Sequence, residues 1–138
     1  MAIWTYFDFV SPAGNNQIVE WLDDLTIQER SDLDAMLEFM SKQQQWSEPN
    51  FKSLSGKKHQ GLGEFRFKSQ QGTPLRLIGT KGDTPNSFIF LIGCSHRGKK
   101  YDPPAALDTA AKRKKQLANT ATTCEHGEKT NGDEREDD

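Results

Sequence analysis

Arg66 and Arg76 stand in two short segments of alternating apolar and polar character, Leu62-Gly63-Glu64-Phe65-Arg66-Phe67-Lys68 and residues 75–81. Side chains two apart in a strand share a face, so neighbouring strands can carry both guanidiniums onto one open surface. Two guanidiniums placed there would grip a single phosphate with bidentate geometry. His96 and Arg97 follow the apolar run 88–92 after Gly93-Cys94-Ser95 and precede Lys99, Lys100 and Tyr101. An imidazole titrates near neutral pH, which makes His96 the natural proton shuttle of the segment. The chemistry within reach is phosphate binding coupled to proton transfer. The competing reading pairs each arginine with a carboxylate such as Glu64 and ties His96 to backbone at a strand end.

Charge along the chain agrees with a polyanion partner. Residues 1–50 carry two basic side chains against nine acidic ones, residues 51–115 fourteen against four, and residues 116–138 two against seven. A formal net charge of −2 therefore hides a strongly basic centre, the pattern of an electrostatic footprint for a polyanion. The bland alternative is that the charges mix in space and each part solvates itself.

The elements that must position these residues follow from period and punctuation. Residues 2–9 are aromatic and β-branched and read as a strand. Pro12 or the Asn15-Asn16 pair opens a short helix with Ile18, Trp21, Leu22 and Leu25 at helical spacing. Thr26-Ile27-Gln28-Glu29 has the form of a capping box, which starts a second helix with Leu33, Met36, Leu37 and Met40 on its apolar stripe. Two helices so close in sequence form an antiparallel hairpin. From Leu62 the period becomes two, and three antiparallel strands follow, the last apolar on both faces. Pro103-Pro104 opens a final helix with Leu107, Ala110, Ala111 and Leu117, ending in the cations 112–115, which suit a helix C-terminus.

A length of 138 residues suits one domain. The expectation is an α+β domain over 1–117, its α-hairpin on one sheet face and the face of Glu64, Arg66 and Lys68 open. Residues 118–138 are polar and acidic, and are expected to form a disordered tail. No run approaches a membrane span, and the N-terminus lacks a signal-peptide pattern, so a cytoplasmic protein is expected. Cys94 in an apolar run reads as a buried inert thiol, and neither a disulfide with Cys124 nor a metal framework is expected.

The order strand, helical hairpin, three strands, helix resembles the RelE/ParE toxin superfamily, most closely its HigB-like, phage-associated branch. The resemblance rests on residues 61–67, on Pro74-Leu75-Arg76-Leu77-Ile78, and on the segment 88–93 with the basic stretch after it. The proline pair, Leu107, Ala110 and the cations 112–115 complete it. It covers about residues 1–117. No single motif is specific; their order and spacing carry the likeness.

The resemblance implies a RelE-like fold and the toxin of a type II toxin–antitoxin pair. Such a toxin is a ribosome-dependent mRNA endonuclease, with no cofactor and no metal, neutralised by a helix-turn-helix antitoxin. The reaction is a transphosphorylation in which the ribose 2′-hydroxyl attacks the adjacent phosphorus. Arg66, Arg76, His96, Arg97 and Tyr101 are the catalytic candidates it implies. Lys57, Lys58, Lys68, Lys99, Lys100, Lys112, Arg113, Lys114 and Lys115 are the candidate contacts to RNA. Two departures stand out. Ser95 lies where some relatives carry a catalytic arginine, a role Arg97 can take from the same side of an extended chain. Gly98 lies where many keep a basic residue. Two other readings are a gyrase-poisoning inhibitor of the ParE type, and a degenerate relative kept for binding or regulation.

Overall fold

The computed structural model describes residues 2–69 and 71–130. The chain runs β1 (Thr5–Val10), α1 (Gln17–Asp23), α2 (Ile27–Ser41), β2 (Phe51–Ser53), a 3-10 turn at Lys57–His59, β3 (Leu62–Lys68), β4 (Pro74–Lys81), β5 (Ser87–Arg97), β6 (Lys100–Asp102), α3 (Ala106–Leu117) and β7 (Thr122–Glu125). The fold is α+β, with three helices and a mixed seven-stranded sheet among the described residues. The sheet order is β2-β3-β4-β5-β1-β7, and β6 also pairs with β5. All pairs are antiparallel except β1 with β5, which is parallel.

Local chemistry fixes the helix starts. Asn16 caps α1, its side-chain oxygen accepting from the Ile18 and Val19 amides. Thr26 and Glu29 close the capping box of α2 in both directions, at 3.1 and 2.9 Å. Each cap satisfies amides that the first helical turn leaves without an intrahelical acceptor.

Strand alternation divides the core in two. On one face Phe65, Leu77, Phe88 and Phe90 pack with Ile18, Leu22, Leu33, Leu37 and Met40 of α1 and α2. On the other, Leu62, Ile78, Leu91, Ile92 and Cys94 pack with Ala106 and Ala110 of α3. A bulge between Ile78 and Gly79 lets Leu91 and Ile92, consecutive in β5, both join this second cluster. The face expected to be open is therefore covered at one end by α3. At its other end Glu64 is buried, at 1% exposure.

The acidic C-terminal segment is not wholly a tail. Thr122–Glu125 pairs antiparallel with β1, from Val10↔Thr122 to Phe7↔Glu125. Buried Asp8 holds the turn after it: His126 Nδ1 lies 2.7 Å from Oδ1, and the Gly127 amide donates to Oδ2 at 2.7 Å. Asn16 Nδ2 donates to Asp8 Oδ2 and to the Glu128 carbonyl. Disorder expected from residue 118 onward is thus corrected through residue 130, because a buried carboxylate in β1 takes its donors from this segment. Residues 131–138 of the expected tail lie outside the described residues.

Candidate functional site

The pairings Arg66↔Arg76, Arg76↔Cys94 and His96↔Tyr101 place four strands side by side. With Glu64 two residues before Arg66, the side chains of Glu64, Arg66, Arg76, His96 and Tyr101 project from one face, the face that carries α3. Four of the five expected catalytic residues therefore share one patch. Arg97 does not join them. It is one residue past His96 and points to the opposite face, exposed, beside Lys100.

Glu64 is the centre of the patch. Arg66 donates from Nε at 2.9 Å and lies with Nη2 at 2.8 Å from Oε1; Arg76 Nε stands 3.7 Å from the same oxygen. Tyr101 donates its hydroxyl to Oε2 at 2.7 Å, lying across β5 and β4 to reach β3. Arg66 also faces Glu48 at 3.5 Å, and Arg76 Nη1 donates to the Leu75 carbonyl. Both guanidiniums already face a carboxylate, the pairing that stood as the competing reading of these two arginines. A buried carboxylate needs such partners, and these side chains are the nearest donors.

Partial burial tunes the proton carriers. Burial, reinforced by the Arg76 and Arg66 charges, lowers the His96 pKa from its usual 6.5, while Glu64 opposes the shift. The ring is therefore neutral at neutral pH. Burial and the hydrogen bond to Glu64 raise the Tyr101 pKa well beyond its ordinary value, so the phenol keeps its proton. The two rings meet edge to face, 4.7 Å apart. Burial lowers the Arg76 pKa, with Glu64 acting in the other direction.

In the sequence Glu64 reads only as a rival partner for the arginines. Its signal was present, since strict alternation puts residues 64 and 66 on one face. Among the expected RNA contacts, Lys68, Lys99 and Lys100 are exposed at the same end of the sheet as His96. Lys57, Lys58, Lys114 and Lys115 gather at the other end, where α3 meets the 3-10 turn. Lys112 is exposed on α3. Arg113 turns inward: it donates to the Leu91 carbonyl at 2.6 Å and to Gln17 Oε1, and its guanidinium lies over the Phe9 ring. That packing makes Arg113 a structural link between α3, β5 and α1, not a free cation for RNA.

Cys94 is a buried thiol and Cys124 a half-buried one. No group of three or more His, Cys, Asp or Glu is placed to hold a metal ion among the described residues, and no helix there is long and apolar enough to cross a membrane. Comparison with family models, with curated proteins and with solved structures finds no match to this chain.

Proposed function

We propose that this protein cleaves RNA by transphosphorylation at the Glu64–Arg66–Arg76–His96–Tyr101 patch. The observation that carries the reading is the meeting of two guanidiniums, an imidazole and a phenol over one sheet face. Arg66 and Arg76, with side chains 27% and 13% exposed, receive the scissile phosphate at the surface. Neutral His96 takes the proton from the 2′-hydroxyl, whose oxygen attacks phosphorus. A 2′,3′-cyclic phosphate forms, the bond from phosphorus to the 5′-oxygen breaks, and Tyr101 supplies the proton to that oxygen. Glu64 is a positioning residue, aligning both arginines and the phenol from below.

The order of elements and the basic rim of Lys68, Lys99 and Lys100 support a RelE-like toxin of the HigB type, acting on mRNA at the ribosome and neutralised by a helix-turn-helix antitoxin. A translating-ribosome assay tests this: the wild type cuts mRNA, while Arg76→Ala and His96→Ala each lose at least a hundredfold in rate. Undiminished cutting by Arg76→Ala overturns the assignment of this patch. Engagement of both arginines by Glu64 favours a second reading, a relative that binds RNA or a partner without cutting it. In the same assay that reading gives ribosome association with intact mRNA.

A further inference from the structure

At the end of β3 away from Arg66, two cavities adjoin. The larger, about 740 Å³, is walled by Trp4, Trp46 and Phe51 and edged by Thr80, Lys81 and Lys114. The smaller, about 320 Å³, is ringed by Lys57, Lys58, Lys114 and Lys115 over the apolar floor of Leu62 and Ala111. Leu62 and Lys114 line both, so they form one groove. Among the described residues no carboxylate lines either part, although the chain carries more acids than bases. Five ammonium groups with no carboxylate beside them among the described lining residues mark this groove as the place for an anion.

The groove is shaped for more than charge. Trp4 and Trp46 pack with ring centroids 4.2 Å apart and planes tilted by 36°, and each indole nitrogen donates to a backbone carbonyl, of Gln43 and Met40 respectively. The Lys81 ammonium lies 5.9 Å over the Trp4 ring. Lys114 is steered to the junction: its Nζ donates to the Gln60 carbonyl at 2.8 Å, over Gly61, where a Cβ would come within 2.3 Å of that nitrogen. A volume of this size takes a ligand of small-molecule dimensions. Fixed aromatic faces at one end and clustered lysines at the other fit a flat base joined to several phosphates.

We propose that this groove binds a nucleoside polyphosphate, its base on Trp4 and its phosphates among Lys57, Lys58, Lys114 and Lys115. The proposal is independent of the RNA-cleavage reading, since none of the groove residues belongs to the Glu64 patch. Two sources share the chemistry: a free nucleotide, or the 5′-triphosphate end of an RNA.

Tryptophan fluorescence of the full chain, titrated at low salt with ATP, AMP, inorganic triphosphate and a 5′-triphosphorylated RNA trinucleotide, tests it. ATP binds at least tenfold more tightly than AMP, and Lys114→Ala weakens ATP at least tenfold. The double variant Lys57→Ala/Lys58→Ala, whose side chains are exposed and leave the core intact, weakens it to a similar degree. Trp4→Ala weakens ATP but not triphosphate, followed for that variant by calorimetry. Tighter binding of the RNA than of ATP assigns the groove to an RNA end; the reverse assigns it to a free nucleotide. The absence of ATP and RNA binding at millimolar concentration overturns the proposal, as does binding unaffected by both lysine variants. Arg76→Ala leaves nucleotide affinity unchanged, which separates failure here from failure at the Glu64 patch.

Discussion

Tyr101 and Glu64, 37 positions apart in the chain, share a 2.7 Å hydrogen bond that spans two intervening strands. The bond fixes the phenol of β6 over a carboxylate of β3 that is almost wholly removed from water. An acceptor in that position is costly to leave without its donors.

Tyr101→Phe therefore removes the donor to one Glu64 oxygen and destabilises the protein by about 1–3 kcal/mol. Glu64→Gln leaves two arginines facing a neutral amide and costs more, about 3–5 kcal/mol. Urea denaturation measures both. Changes below ~0.5 kcal/mol in both variants, the range of an ordinary surface substitution, would mean that the cluster is not closed as described.

His96 gives the stability a pH dependence of known sign. Its folded pKa lies below the unfolded value of 6.5. The unfolded chain thus binds the proton more readily, and stability is lost as pH falls from 6.5 through the lowered folded value. Above 6.5 the contribution is complete. His96→Gln flattens the unfolding profile in that acidic window and leaves it unchanged at pH 8. Parallel wild-type and variant profiles throughout would contradict the lowered value.

The thiols differ in reach. Cys94 is buried between Arg76 and α3, and its pKa is pushed up to about 12, chiefly by burial. Little thiolate exists there at neutral pH, so attack on a disulfide reagent is slow. Cys124, half-buried in β7, reacts first. Thiol titration of the native protein at pH 7.5 shows one faster and one slower group, and Cys124→Ser removes the faster. Removal of the slower phase instead would reverse the assignment.

Gly93 sits under the Trp21 indole, and a Cβ there would lie 2.0 Å from the ring. Trp21 belongs to α1, so an added methyl pushes that helix from the sheet. Gly93→Ala destabilises by about 1–3 kcal/mol, the cost of overpacking. Thermal unfolding measures it, and Trp21→Leu in the same chain recovers part of the loss. An unchanged transition temperature in Gly93→Ala would show that α1 does not bear on β5 there.

The long periodic elements were legible because each carries its own signal. Thr26 and Glu29 announce α2, Asn16 is one of two openings considered for α1, and alternation through Phe65 and Phe67 identifies the face that α1 and α2 cover. Strands of three or four residues carry too few positions to show a period, which is why β2, β6 and β7 escape notice. β7 also reads as tail because its composition is polar; it is held by Asp8, a residue more than a hundred positions away. The four consecutive cations at 112–115 look equivalent in sequence. Helical spacing from Ala106 and Ala110 nonetheless puts residue 113 on the buried stripe, and that is where Arg113 lies. Glu64 was placed on the correct face but expected in solvent, since only the donors supplied from β4 and β6 make its burial tolerable. The gathering of Lys57 and Lys58 with Lys114 and Lys115 depends on α3 crossing β5 and β4 to meet the 3-10 turn, which no local pattern announces.

β1 is held between two strands that emerge far later in the chain, β5 on one side and β7 on the other. β1 precedes both of its neighbours in the chain and waits for them, and the sheet is completed only when residue 125 is available. A chain cut short after Ala121 keeps α3 but leaves the backbone of β1 without one ladder. Its bare N–H and C=O groups then become a template for another molecule's strand, so early termination turns the fold toward strand-to-strand aggregation.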